Sequence, residues 1–75
     1  MNAERRKIIE EIKAKLSQIH ADLESPKEDE QSAFDNMPES LQQGERGTQI
    51  EENVQYMDEA LDNIQSAIDA LDNIQ

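Results

Sequence analysis

In the C-terminal part of the chain the large apolar residues fall at Ile50, Val54, Met57, Leu61, Ile64, Ile68 and Leu71, in unbroken alternating steps of four and three. That is the a/d seam of a helix built to pack lengthwise on another helix. Thr48 with Glu51 reads as a capping box at its start, so the spacing predicts a helix over 48–74. A second series, Ile9, Ile12, Leu16, Ile19 and Leu23, steps by three and four near the N-terminus and is widened by Ile8. Good helix formers fill the positions between, and a helix over 3–24 is expected.

The connection, 25–47, is punctuated. Ser25-Pro26-Lys27-Glu28 has the signature of a helix start: proline at the first helical position, and Ser25 with Glu28 as a capping box. A short helix reaching Asn36 or Met37 should follow, broken by Pro38, with one further turn carrying Leu41. Gly44 and Gly47 read as the hinge before the last helix, because glycine readily takes the left-handed conformation of helix ends. The phrase Ala-Leu-Asp-Asn-Ile-Gln occurs at 60–65 and again at 70–75. An offset of ten does not return to the same helix face, so the seven-residue pattern governs.

Two long helices with matching seams, joined by a segment able to reverse the chain, should pack antiparallel at a shallow angle. Charge points the same way. Residues 1–20 carry five basic and three acidic side chains, whereas 47–75 carry seven acidic and no basic ones, within a net charge of −11. Arg5, Arg6, Lys7 and Lys13 lie at the wrong end of the first helix for its dipole, and Asp62, Asp69 and Asp72 at the wrong end of the last. Antiparallel packing makes each cluster complementary to the other.

The expected fold is therefore all-α: an antiparallel helical hairpin with a short broken helix in the connection, forming one domain over 1–75. Only 35% of residues are hydrophobic and 3% aromatic, and there is no cysteine. A small, lean core of this kind usually has a staple. Disulfides and thiolate metal sites are excluded, which leaves a partner chain. The middle segment, with Phe34, Met37 and Leu41, could fold over the hairpin as a third helix. The alternative, which the lean core favours, is a homodimer of the four-helix-bundle type using the seam of the last helix together with Phe34 or Met37.

Chemistry is sparse. His20 is the only histidine, and Ser17 stands where the Glu-x-x-His motif of bundle carboxylate sites would require glutamate. There is no calcium-binding loop, and Gly44 and Gly47 lack the Lys-Ser/Thr of a phosphate loop. No serine or threonine has a histidine arranged beside it in sequence for nucleophilic catalysis. The expectation is no enzyme, no cofactor and no metal. The charged N-terminal stretch lacks the apolar core of a signal peptide, and no stretch is apolar enough to span a membrane, so a cytoplasmic location is expected. The acidic balance repels phosphate backbones and anionic lipids, arguing against direct binding of nucleic acid or membrane.

What remains is surface. Glu51, Glu52, Asp58 and Glu59 lie beside the acidic end of the first helix, with only Arg46 and Lys27 near as cations. They are the candidate contacts for a basic protein partner. Arg46, a lone cation in an acidic stretch, either pairs with neighbouring carboxylates or joins that contact. The run FDNMPESLQQGERG, 34–47, followed by the acidic segment EENVQYMDEALDNIQSAIDALDNI, 51–74, resembles small uncharacterised acidic helical proteins of phages and mobile elements in low-GC Gram-positive bacteria. The resemblance covers about 28–74 and implies no functional residues. It implies a mobile-element role, and with it an alternative to the interaction protein: an inhibitor that mimics nucleic acid and occupies a DNA-handling host protein.

Overall fold

The computed structural model describes residues 1–75 and contains three helices: α1 Ala3–Asp35, α2 Glu39–Gln42 and α3 Glu45–Asp72. The Asn2 side chain caps α1, its Oδ1 accepting from the Arg5 N–H at 2.8 Å. That satisfies one of the amide groups a helix start leaves without a partner. α1 does not stop at 24. It runs through Pro26 for a further nine residues, and the Ser25–Glu28 capping box does not form. An interior proline costs a hydrogen bond and crowds the carbonyl four residues back, about 3 kcal/mol in all. Here that carbonyl belongs to Asp22, which is exposed, as is Pro26, so water can solvate the freed group. The continuation carries Lys27, Glu30 and Phe34 along α3, and all three are partly buried.

Pro38 does end the helical run. α1 closes on the Asn36 N–H, which donates to Ser32 O at 2.9 Å, and Met37 is held off helical geometry by the proline after it. The single turn of α2 follows. Gln42 Nε2 reaches back to Phe34 O at 2.9 Å and satisfies a terminal carbonyl of α1. Leu41 stays exposed rather than anchoring the turn.

α3 begins at Glu45, three residues before the expected Thr48, with Gly44 as its cap. Thr48 is not a cap; its N–H and Oγ1 both donate to Gly44 O, at 3.0 and 3.1 Å. No residue has positive φ, so neither glycine serves a left-handed turn. Gly47 is required for space instead. A Cβ there would lie 2.2 Å from the carbonyl oxygen of Gln42, so only a glycine lets α2 press on the first turn of α3.

The seam of α3 is the core. Ile50, Val54, Met57, Leu61, Ile64, Ile68 and Leu71 are all buried or partly buried, and Val54 and Leu61 are the most enclosed side chains, 8% and 6% exposed. α1 covers this seam along its length in antiparallel register, with Lys13 opposite Asp72, Lys27 opposite Asp58 and Glu30 opposite Asn53. The seam is thus packed against α1 within the chain, with Ile50, Met57, Ile64, Ile68 and Leu71 only partly buried by it.

The face of α1 turned toward α3 is not the one its apolar spacing suggested. The partly buried residues are Ile9, Lys13, Leu16, His20, Leu23, Lys27, Glu30 and Phe34, with Glu24 beside His20. Ile12 and Ile19 are 42% and 51% exposed. The two series share positions 9, 16 and 23 and differ by a small rotation of the helix. What decides between them lies beyond Leu23. The inner series continues into Lys27 and Phe34, whereas the series through Ile12 and Ile19 would continue into Pro26 and Ala33. The larger apolar group and the ion-pairing cation prevail. The result is a rod one hairpin thick, 59 × 15 × 12 Å.

Candidate functional site

Read in steps of seven, α3 presents two flanks beside its seam. One column holds Glu51, Asp58, Gln65 and Asp72; the other holds Arg46, Asn53, Ala60 and Ala67. The first column meets the Lys13–Lys27 column of α1, and two ion pairs bridge the helices there: Lys13 with Asp72, and Lys27 Nζ with Asp58 Oδ1 at 2.7 Å. Lys13 also reaches Glu10 on its own helix, at 3.3 Å. Hydrogen bonding to Asp72 holds the Lys13 ammonium above its ordinary value of 10.5, with Glu10 adding to it against partial desolvation. Lys27 is raised in the same way, chiefly by Asp58. Of the four N-terminal cations expected to meet the acidic end of α3, only Lys13 bridges to it; Arg5, Arg6 and Lys7 make no ion pair.

Of the candidate partner-binding carboxylates, Asp58 is thus engaged internally by Lys27. Glu51, Glu52 and Glu59 are exposed and have neither an ion pair nor a side-chain hydrogen bond, and the same holds for Asp62. Asp69 accepts only from Gln65 Nε2, at 2.9 Å on the same helix. The seven carboxylates of residues 47–75 all lie on the outer side and the ion-paired flank of α3, within a sector of about 160° at ~100° per residue.

Arg46 does not pair with neighbouring carboxylates, as sequence proximity suggested. It lines an open hollow near the α2 end with Glu30, Ala33, Glu45, Gln49, Ile50 and Asn53, across which Asn53 Nδ2 donates to Glu30 Oε2 at 2.9 Å. Arg46 therefore stands on the flank away from the ion pairs, apart from Glu51, Glu52 and Glu59. The five candidate residues do not form one cluster.

The second edge is of a different character. On α1 it carries Ile12, Ile19, Pro26 and Ala33, with Ile8, Lys15, Asp22 and Asp29 in the column beyond; on α3 it carries Asn53, Ala60 and Ala67, with Gln49, Tyr56, Asn63 and Ala70 beyond. No ion pair crosses it. Between Gln49 and Ala70 the α3 part of this edge bears no charge, in a chain that is 33% charged. The apolar spacing around Ile12 and Ile19 was the trace of this edge, although it reads in sequence as the seam itself.

No group of three or more His, Asp or Glu side chains is placed to hold a metal ion. His20 lies on the inner face of α1 with Nδ1 3.8 Å from Glu24 Oε1, a local contact one turn along the helix. No helix is long and apolar enough to cross a membrane. Comparison with protein-family models, curated proteins and solved structures finds no match for the chain.

Proposed function

We propose that this chain is a non-enzymatic, cytoplasmic interaction protein that self-associates and presents the outer surface of α3 to a basic protein partner. The observation that carries this reading is the division of labour among the carboxylates. Asp58 and Asp72 meet Lys27 and Lys13 within the hairpin. Glu51, Glu52, Glu59 and Asp62 are left exposed and uncompensated. Unpaired like charge destabilises a compact state by self-repulsion, while it speeds encounter with an oppositely charged surface. Arg46 stands off this patch and is a secondary contact at most.

A narrower reading is supported by shape: a rod 59 Å long with carboxylates along one side has the gross form of a nucleic-acid mimic. Together with the resemblance to mobile-element proteins, it makes an inhibitor of a DNA-handling host protein the alternative. One experiment addresses both. The tagged chain and its Glu51→Gln/Glu52→Gln/Glu59→Gln variant, which spares the Lys27–Asp58 pair, are used to capture proteins from the native host at rising salt. A basic protein retained at low salt by the parent and lost from the variant is the expected result. Identical capture by both, or none at low salt, would sink the acidic-interface reading. Displacement of the captured protein by duplex DNA selects the mimic over the simple interaction protein.

A further inference from the structure

We infer that the edge of the hairpin carrying Ile12, Ile19, Ala60 and Ala67 is the self-association surface, covered by the same edge of a second copy with α1 of each chain lying over α3 of the other. This rests on the self-association proposed above and assigns it a face and a topology. The hairpin has surplus surface: a monomeric protein of 8.6 kDa should expose about 4,700 Å², whereas this one exposes 5637 Å². The excess of about 900 Å² is close to the ~800 Å² that each partner buries in a standard interface. The surplus is unevenly distributed in chemistry. One edge is closed by ion pairs; the other exposes Ile8, Ile12 and Ile19 at 49%, 42% and 51% beside Ala60 and Ala67. Small residues on one helix opposite large ones on another are what close interdigitation of helices needs.

Charge selects the occupant and its orientation. A basic partner has no reason to seek an edge from which α3 carboxylates are excluded. A second copy can be seated in two ways. Placing α1 on α1 and α3 on α3 sets two strongly acidic helices side by side. Placing α1 of each copy on α3 of the other sets the net positive residues 1–20 against the acidic C-terminal half of α3, and every neighbour in the bundle is then antiparallel. The intramolecular register of 13 opposite 72 and 27 opposite 58 brings Ile19 of one copy level with Ala67 of the other.

The test uses the full chain. By sedimentation, the parent is expected as a dimer at micromolar concentration, Ile12→Asp as an 8.6 kDa monomer that keeps its helical circular dichroism, and Ala21→Asp, on the opposite side of α1, as a dimer. Because the chain has no cysteine, Ile19→Cys and Ala67→Cys variants can be mixed and oxidised. The expected product is the 19–67 heterodimer in excess over either homodimer, which reports the topology even if Ile12→Asp does not fold. A monomeric parent overturns both this inference and the self-association it rests on. A dimer indifferent to Ile12→Asp, or one yielding no 19–67 product, overturns the face or the topology alone and leaves self-association standing.

Discussion

The two long helices share one interface and contribute opposite things to it. α3 brings seven apolar residues to the contact, with its charge there confined to Asp58 and Asp72 on one flank; α1 brings Ile9, Leu16, Leu23 and Phe34 interleaved with Lys13, His20, Lys27 and Glu30. Burial follows this division: both of the most enclosed side chains, Val54 and Leu61, belong to α3. One helix supplies hydrophobic burial, and the other supplies register through long cations whose stems cover the seam while their heads meet Asp58 and Asp72. The hairpin is thus specified by an asymmetric pair, with apolar substance on one side and polar alignment on the other.

The sharpest way to break that comparison is to truncate the same residue type on each helix. Leu61→Ala should cost about 2–5 kcal/mol in urea unfolding, and Leu16→Ala, which is only partly buried, roughly half as much. Equal losses would mean that both helices contribute equally to the core. Next in size is Pro26→Ala. If α1 is one helix held together by its distal contacts, relieving the proline should stabilise the fold by about 2–3 kcal/mol. A protein in which Pro26 begins a separate helix would lose stability or stay unchanged.

Gly47→Ala forces a Cβ against the Gln42 backbone and should cost about 1–3 kcal/mol, whereas Gly44→Ala, where the nearest atom lies at 3.4 Å, should cost far less. Comparable melting temperatures for the two variants would remove the close approach of α2 from the account. The smallest effect concerns the ion-paired edge. Lys13 and Lys27 are raised above 10.5 in the fold, so their contribution is fully present below the unfolded lysine value and disappears as pH climbs through the raised ones. Melting temperature should fall modestly on the alkaline side of pH 10.5, and a Lys13→Met/Lys27→Met variant should flatten that limb; an unchanged limb would show that the pairs contribute no net stability.

Particular residues show how far pattern alone carries. Every member of the α3 seam was legible, because apolar groups at steps of four and three over three turns or more leave one arrangement that buries them all. On α1 the same rule selected Ile12 and Ile19, since hydrophobic spacing registers that a face is apolar and not which surface covers it. Glu51, Glu52 and Glu59 were identifiable as uncompensated from charge order. That Asp58 would be taken by Lys27 and that Arg46 would stand on the opposite flank were not, because both follow from the rotation of α1 and the early start of α3.

The residues of this chain by themselves dictate an all-helical hairpin: the a/d period of α3, the polarity gradient between the two ends, and the absence of cysteine admit little else. Only the tertiary structure decided which proline ends a helix, which face of α1 turns inward, and what Gly47 is for. Those outcomes depend on contacts between residues distant in sequence. Phe34 and Lys27 meeting α3 offset the local cost of Pro26, and the backbone of Gln42 pressing on α3 requires a glycine where no turn does.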